Sequence, residues 1–273
     1  MIYTHMELKE LCKIVAETAR TLGRELLEKR DNNAFEVMTK GHNDFVTSLD
    51  KYSERTLVQK LSQLLPEAGF ITEEGTRSDR AERFNWVIDP IDGTTNFIHR
   101  VPPFAISIGL LDGDEITLGV VYEMSHDELF AAYKGGGATL NGKPIHVSNC
   151  PSVANALITT GFPYSNFSRA KGLLQTLDTL MRTCHGLRRL GSAATDLCYV
   201  ACGRFDAYYE YDLKPYDVAG GSIILSEAGG KLSDYHHGND YIFGKEMLAS
   251  NGLIHSELES IIDPLINQIE DNK

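Results

Sequence analysis

The stretch WVIDPIDGTTNF, residues 86–97, constrains the fold of this 273-residue chain more than any other segment. Trp86, Val87 and Ile88 are bulky or β-branched, which predicts the end of a buried strand that stops at Asp89. A carboxylate in that position lies at the carboxyl end of a strand, where open α/β sheets bind their ligands. The stretch therefore predicts a sheet with acidic side chains at the end of a central strand.

The residues after this strand suit an anion and a hard metal ion. Asp92 supplies a second carboxylate, and Gly93 permits a tight turn before a helix start whose amide groups could hold an anion. Two oxygen ligands beside such amides are typical of a magnesium-dependent phosphate site. Solvated turn chemistry explains the same residues equally well, because Asp and Gly are common in turns. The spacing matches neither an EF-hand loop nor the Asp-x-Asp motif of phosphatases that form an aspartyl-phosphate.

Hydrophobic periodicity divides the chain into an α+β part and an α/β part. Helices are predicted over about residues 6–30 and 48–65, a short strand at 70–72, and two strands joined by a turn in AISIGLLDGDEITLGVVY. From about residue 152 strands and helices alternate. This order predicts layered sheets and helices in one domain over residues 1–273, with an N-terminal lobe of about 1–150 and a C-terminal lobe of about 151–273. The predicted elements of the second part are strands at 156–160, 205–210 and 248–250, and helices at 168–182, 192–202, 217–228 and 255–269.

Composition argues against several classes of function. The chain has 26 basic and 38 acidic residues, and its net charge of −12 opposes binding to nucleic acid or to an anionic membrane. It lacks the run of about 18 apolar residues that a membrane helix needs, and its first residues do not resemble a signal peptide. Its 5 cysteines are scattered, which indicates reduced thiols. We therefore expect a cytoplasmic protein without nucleic-acid or membrane partners.

Acidic residues recur at the ends of other predicted elements. Two of them, Asp50 and Asp217, stand in the first turns of helices, where a cap or dipole partner contributes about 1 kcal/mol. Glu73 could be a solvated turn residue, and Glu210 could belong to a surface ion pair. The helix that Asp217 opens is rich in small residues, which permits a close approach of the backbone to a ligand. Each residue thus has a structural explanation beside the functional one.

Five segments, in the same order along the chain, resemble the inositol monophosphatase family of magnesium-dependent, lithium-sensitive sugar-phosphate phosphatases. Two of them, WVIDPIDGTTNF and YDVAGGSIILSEAGG, resemble the two signatures of that family. The resemblance extends over about residues 8–260. It implies a layered α-β-α-β-α sandwich of α+β or α/β class. The second signature usually starts with Trp-Asp, whereas this chain has Tyr216-Asp217. The preceding Lys214-Pro215 resembles the Arg/Lys-Pro form of bacterial members. The five segments are KGHNDFVTSLD, ITEEG, WVIDPIDGTTNF, GSAATDLCYVACGRFDAYYE and YDVAGGSIILSEAGG.

The resemblance implies a site for two or three Mg²⁺ ions. Glu73, Asp89 and the carbonyl group of Ile91 would hold the first ion. Asp89, Asp92 and Asp217 would hold the second, so that Asp89 bridges the two. A third, weaker ion would be reached from Glu73 through water.

The resemblance also implies the catalytic and substrate-binding residues. Thr94, paired with Asp50, would orient the attacking water together with Glu73. The amides of Gly93 and Thr94 would bind the phosphate. The full substrate-binding set would be Asp92, Gly93, Thr94, Ser192, Ala193 and Glu210.

The resemblance implies hydrolysis of inositol monophosphate to inositol and phosphate by direct attack of a metal-activated water. It also implies a homodimer, because members of the family are commonly homodimers. The metal motif contacts only the phosphate, so NADP 2′-phosphate, fructose 1,6-bisphosphate and 3′-phosphoadenosine 5′-phosphate remain alternatives, singly or as a second activity. The choice would depend on loops near residues 161–170, 185–193 and 210–216. A regulatory protein of the same fold is a further alternative, because bacterial members also contact the transcription machinery.

Overall fold

The computed structural model describes residues 5–41, 44–164 and 166–267. Its helices are α1 (His5–Asp31), α2 (Ser48–Leu64), α3 (Thr94–His99), α4 (Ala170–Thr183), α5 (Ala193–Ala201), α6 (Pro215–Glu227) and α7 (His255–Asn267). Its strands are β1 (Val37–Gly41), β2 (Asp44–Thr47), β3 (Gly69–Thr72), β4 (Phe84–Asp92), β5 (Ala105–Asp112), β6 (Glu115–Glu123), β7 (Glu128–Tyr133), β8 (Ala138–Leu140), β9 (Lys143–Pro144), β10 (Leu157–Thr160), β11 (Gly186–Arg188), β12 (Ala207–Tyr211), β13 (Lys231–Ser233) and β14 (Glu246–Ser250). Over the described ranges, no helix combines the length and the apolar character that crossing a membrane requires.

Seven strands form the first sheet, in the order β3-β4-β5-β6-β7-β8-β9. β3 runs parallel to β4, and the other pairs are antiparallel. Successive side chains of a strand point to opposite faces, so Val120 packs in the core under α1 and α2, while Val121 packs in the core under α5 and α6. Both faces of this sheet are therefore covered by helices.

The second sheet has five strands in the order β11-β10-β12-β14-β13. β10 is parallel to β11 and β12, and β14 is antiparallel to both of its neighbours. α5 and α6 share a core with residues of both sheets, whereas α4 and α7 pack on the outer face of the second sheet. The layers are thus α1 and α2, the first sheet, α5 and α6, the second sheet, and α4 and α7, which confirms the predicted five-layer sandwich.

The structure changes the predicted end of the strand that carries the acidic motif. The strand was expected to stop at Asp89, but β4 continues to Asp92. Asp89 pairs with Ser107 and Asp92 pairs with Ala105 across β5, with an irregular register between the two pairs. Pro90 lacks an amide hydrogen and is tolerated where the ladder is interrupted. Both carboxylates therefore lie on one strand, with the irregular register between them.

Other differences concern short elements and helix ends. α6 begins at Pro215 rather than at Asp217, because proline suits the first helical position. The hairpin of β1 and β2 was not predicted. His42 and Asn43, within the matched segment KGHNDFVTSLD, lie outside the described residues, as do residues 268 and 269 of the predicted last helix. The division into lobes near residue 150 stays a prediction.

Candidate active site

A cavity of about 670 Å³ lies where the end of β4, the loop before α5 and the start of α6 meet. It brings together residues that are more than 140 positions apart in the sequence. Asp50 alone among the predicted site residues does not line it, and its side chain is completely buried. The predicted residues that line the cavity are Glu73, Asp89, Ile91, Asp92, Gly93, Thr94, Ser192, Ala193, Glu210 and Asp217.

Asp89 is the most deeply buried of the acidic residues predicted to bind metal, with 3% of its surface exposed. One carboxylate oxygen, Oδ1, accepts a hydrogen bond from the amide of Ile91 at 3.1 Å. Burial raises the pKa of Asp89 well above its usual value, and the negative charges of Glu73, Asp92 and Asp217 raise it further. An ionised Asp89 therefore needs a compensating cation.

Asp92 joins the end of β4 to the start of α5. Its Oδ2 accepts hydrogen bonds from the Ser192 hydroxyl at 2.6 Å and from the Ala194 amide at 2.8 Å. Burial raises the pKa of Asp92 to about 6, although these hydrogen bonds lower it. A negative charge beside a helix start is also favoured by the helix dipole. The predicted contact residue Ser192 thus holds Asp92 in place.

Asp217 occupies the first turn of α6 and opens to the cavity. Its Oδ2 accepts a hydrogen bond from the Lys214 amide at 2.6 Å, which closes the helix start. Burial raises the pKa of Asp217 well above its usual value, and the negative charges of Asp92, Glu73 and Glu210 raise it further. Asp217 therefore both closes the start of α6 and lines the cavity.

The small residues after Asp217 serve packing, not the ligand approach that we expected. A Cβ at Gly220 would lie 2.7 Å from Ser107 Oγ, and a Cβ at Gly221 would lie 2.7 Å from Leu197 Cβ. Both positions would clash with neighbouring elements, β5 and α5. Glycine here lets α6 lie close against the sheet and so fixes where Asp217 projects.

Two polar residues of α2, Ser53 and Glu54, hold the acidic segments, and sequence reasoning missed them. The Glu54 carboxylate, completely buried, accepts hydrogen bonds from the amides of Glu74 and Thr76, each at 2.7 Å. The Ser53 hydroxyl donates to the Pro90 carbonyl at 3.0 Å. The signal that could have found them is their position on the apolar face of a predicted amphipathic helix.

Thr94 lies between two acceptors. Its hydroxyl oxygen is 3.0 Å from Asp50 Oδ1 and 3.0 Å from the Ile91 carbonyl, and its single proton can serve one of them at a time. The other oxygen of Asp50 accepts from the amide of Thr47 at 2.7 Å and from its hydroxyl at 2.5 Å, in a capping box that starts α2. Thr94 therefore links the buried Asp50 to the cavity.

Gly93 directly precedes the short helix α3 and has a left-handed backbone, at φ 85°. A Cβ at this position would lie 3.0 Å from the Gly191 carbonyl oxygen and 3.1 Å from that of Pro103. Both the backbone angle and the crowding require glycine. The peptide groups after Asp92 can thus approach the loop before α5 closely.

Glu210 lines the side of the cavity away from β4. Its Oε2 accepts a hydrogen bond from the Tyr208 hydroxyl at 2.8 Å. Burial raises its pKa to about 7, although that hydrogen bond and the charge of Arg189 lower it. Gly161 lies against the carboxyl group so closely that a Cβ would come within 1.9 Å of it.

Comparison with known proteins identifies the chain. Residues 7–270 match the model of the inositol monophosphatase family. The chain belongs to this family. It is 36% identical over 261 residues to the Nus factor SuhB of Pasteurella multocida, a match that covers 94% of this chain and 97% of that protein.

Two solved structures have the same fold. The extragenic suppressor protein suhB from Bartonella henselae is 34% identical, with a TM-score of 0.88 over 93% of this chain and 98% of the other. The inositol monophosphatase from Anabaena (Nostoc) sp. PCC 7120 is 36% identical, with a TM-score of 0.83 over 94% and 96% of the two chains. Family membership supports phosphatase activity and general dependence on Mg²⁺.

The residues of this inositol monophosphatase family member fit Mg²⁺ in type and charge. Asp89, Asp92 and Asp217 line the cavity and offer hard oxygen ligands. Two carboxylates 4 Å apart repel by about 4 kcal/mol at an effective dielectric of about 20. Among the residues that the structure describes, no three His, Cys, Asp or Glu side chains are arranged so that they could already hold a metal ion.

Proposed function

We propose that this protein hydrolyses inositol monophosphate to inositol and phosphate, with Mg²⁺, by direct attack of water on phosphorus. The observation that carries the proposal is the convergence of Glu73, Asp89, Asp92 and Asp217 on one cavity beside Gly93. Burial and mutual repulsion raise the pKa values of Asp89 and Asp217 well above normal. Such a cluster suits divalent cations and a phosphate group.

The metal ligands would be the residues that lie around the end of β4. Glu73, Asp89 and the Ile91 carbonyl would hold one ion, and Asp89, Asp92 and Asp217 a second, with a weaker third near Glu73. Bound Mg²⁺ would stabilise the negative charge that develops on the transferring phosphoryl group. Asp92 is fixed for this role by its hydrogen bonds to the start of α5.

The water would be oriented by Thr94 and Glu73. When the Thr94 hydroxyl donates to Asp50, its oxygen can accept a hydrogen from the water. The Glu73 carboxylate, on the same cavity wall, would receive the proton that the water loses. The amides of Gly93 and Thr94 would bind the phosphate, and Glu210 would accept hydrogen bonds from hydroxyl groups of the leaving inositol.

Isotope labelling tests this chemistry. A single turnover in ¹⁸O-labelled water should place the label in the phosphate, because water attacks phosphorus. Label in inositol, with unlabelled phosphate, would contradict the proposal. A substrate with a chirally labelled phosphate should release it with inverted configuration, whereas a covalent phosphoenzyme would give retention.

The same mechanism could act on other phosphate monoesters. NADP 2′-phosphate, fructose 1,6-bisphosphate and 3′-phosphoadenosine 5′-phosphate are the alternatives, because the metal ligands contact only the phosphate. The three loops expected to determine the choice do contribute to the cavity, through Tyr164, Arg189 and Asp212 among others. Phosphate release measured on all four esters would rank them and would reveal a dual activity.

A role in transcription is the second candidate function, because relatives such as the Pasteurella multocida protein carry the name Nus factor. The Asp89→Asn variant separates the two functions. It should lose turnover, while the exposed surface that a partner would bind stays unchanged, because Asp89 is buried. A transcription effect that persists in this variant would support the interaction role. The homodimer expected from the family can be checked by sedimentation of the full chain.

A further inference from the structure

Three segments of the chain meet at the turn that contains Gly93. α3 follows this turn directly, the loop before β5 contains Pro103, and the loop before α5 contains Leu190 and Gly191. A Cβ at Gly93 would lie 3.0 Å from the Gly191 carbonyl oxygen and 3.1 Å from that of Pro103, so the turn is enclosed between the two loops. The two loops therefore determine the shape of the cavity around the turn that is proposed to bind phosphate.

Asn96 connects α3 to both loops. Its residue lies on α3 and lines the cavity. Its Nδ2 donates hydrogen bonds to the carbonyl oxygens of Pro103 and Leu190, each at 2.8 Å. A side-chain amide nitrogen carries two protons, so these two hydrogen bonds use both of them. One side chain thus joins the helix after the phosphate turn to the segments on either side of it.

The loop that contains Leu190 leads directly into α5 and carries the predicted substrate contacts. These contacts are Ser192 and Ala193. The Ser192 hydroxyl binds Asp92 at the end of β4, at 2.6 Å. The loop is therefore attached at two points, to β4 through Ser192 and to α3 through Asn96. A segment held at both points keeps its orientation, whereas a single contact would let it pivot.

α3 itself is anchored independently of the Asn96 side chain. The ring of Phe97 is completely buried and packs edge-on against Phe104, with ring centroids 5.3 Å apart. The guanidinium carbon of Arg30 lies 5.1 Å from the centroid of the same ring. The amide of Val101 donates to the Asn96 carbonyl, a backbone contact that a side-chain replacement preserves. Removal of the Asn96 side chain should therefore leave α3 in place and release the two loops.

We propose that Asn96 is a positioning residue that fixes the distance between the phosphate turn and the loop that contacts the rest of the substrate. A ligand that occupies both parts at once binds more tightly when this distance is fixed, because less free energy is lost in ordering the loop. Inorganic phosphate would contact only the turn and the metal ions, so its binding does not depend on this distance. The inference rests on the proposed phosphatase function and assigns the residue that links the two halves of its site.

The Asn96→Ala variant separates these two kinds of ligand. KM and kcat are measured with Mg²⁺ for the ester that the wild-type protein hydrolyses fastest, together with the inhibition constant of inorganic phosphate. KM should rise about tenfold, the size expected when hydrogen bonds that hold a binding loop are lost. The inhibition constant of phosphate should stay within about twofold of wild type. Partial unfolding would instead lower kcat by reducing the amount of active enzyme and leave both constants unchanged.

Two further variants complete the test. Asn96→Gln keeps an amide donor on a side chain that is longer by one methylene group, so it should raise KM less than Asn96→Ala does. If Asn96→Ala does not fold, the comparison of KM with the inhibition constant is made on Asn96→Gln. Asn155→Ala is the matched control, because Asn155 is exposed and its Nδ2 donates to Ser152 Oγ at 3.2 Å. This control should keep both constants within about twofold of wild type.

Several outcomes would overturn the inference and leave the phosphatase function standing. One is an unchanged KM in both Asn96 variants. A second is a rise of KM and of the phosphate inhibition constant by the same factor, which would show that Asn96 acts on the phosphate turn alone. A third is a loss confined to kcat, which would show that Asn96 does not hold the loop for substrate binding. No hydrolysis of any of the esters by the wild-type protein with Mg²⁺ would instead contradict the proposed function itself.

Discussion

The Ser192 hydroxyl donates a hydrogen bond to Asp92 Oδ2 at 2.6 Å, across 100 positions of the sequence. The same hydroxyl accepts from the amide of Thr195 and caps α5. One buried side chain thus starts a helix between the two sheets and orients a carboxylate at the end of a strand. Packing of the layers and the geometry of the site depend on the same contact.

Replacement of Ser192 with alanine should lower the free energy of unfolding by about 1–2 kcal/mol, because a helix cap and a buried hydrogen bond are lost. The pKa of Asp92 should rise further above about 6, since a hydrogen bond that lowers it is removed. Urea denaturation measures the first effect. Ser78→Ala, at an exposed position, is the control. Equal stability of the two variants would contradict this role of Ser192.

Asp89→Asn should reduce kcat/KM more than about a hundredfold, because the proposed bridging carboxylate is lost from both metal sites. Without Mg²⁺ the variant should melt at a higher temperature than wild type, since one buried negative charge is removed from a repulsive cluster. The increase in melting temperature produced by Mg²⁺ should shrink. Asp114→Asn, in the exposed turn between β5 and β6, is the control. Near-normal turnover at saturating Mg²⁺ would disprove the site assignment.

Glu54→Gln should destabilise the protein by about 1–3 kcal/mol, because one end of the amide cannot accept a hydrogen bond from the loop after β3. The amides of Glu74 and Thr76 should exchange hydrogen faster, and turnover should fall as Glu73 becomes less well placed. Hydrogen exchange followed by mass spectrometry measures the loop directly. Glu67→Gln is a control because Glu67 is exposed. Wild-type protection of the loop in Glu54→Gln would refute the positioning role.

His255 should make stability depend on pH. Burial lowers its pKa from 6.5 to about 4, helped by the charge of Lys231, while Glu259 opposes the shift. The unfolded chain binds the proton below about pH 6.5 and the folded chain only near pH 4. The contribution is therefore complete above pH 6.5 and is lost as the pH falls toward 4, with a full size of about 3 kcal/mol.

His255→Gln tests this pH dependence by urea denaturation between pH 4 and 7. Its stability should vary less over that range than that of wild type, although replacing a ring held between Ser233 and Ser250 should lower stability at every pH. His99→Gln, at an exposed position, should keep the wild-type slope. Identical slopes in all three proteins would show that His255 is not the responsible group.

Local patterns were sufficient for the long elements. The leucine stripe of α1, the length of α2 and the turn between β5 and β6 follow from periodicity and turn residues over a few neighbouring positions. The end of β4 was misplaced because Pro90 and Asp92 are typical of turns. Pairing with β5 extends the strand regardless, and no local pattern records that partner.

The sequence by itself determined the layered α/β class, the family and the set of acidic residues, because these are expressed in residue types and in their order. Only the tertiary structure decided that Glu73, Asp89, Asp92 and Asp217 share one cavity and that Ser53, Glu54 and Ser192 hold them. It also placed Arg189 on the wall of the same cavity, beside Gly191. The physical reason is that burial, repulsion and hydrogen bonding between distant segments depend on distances in space, and a single sequence specifies these only through the folded chain.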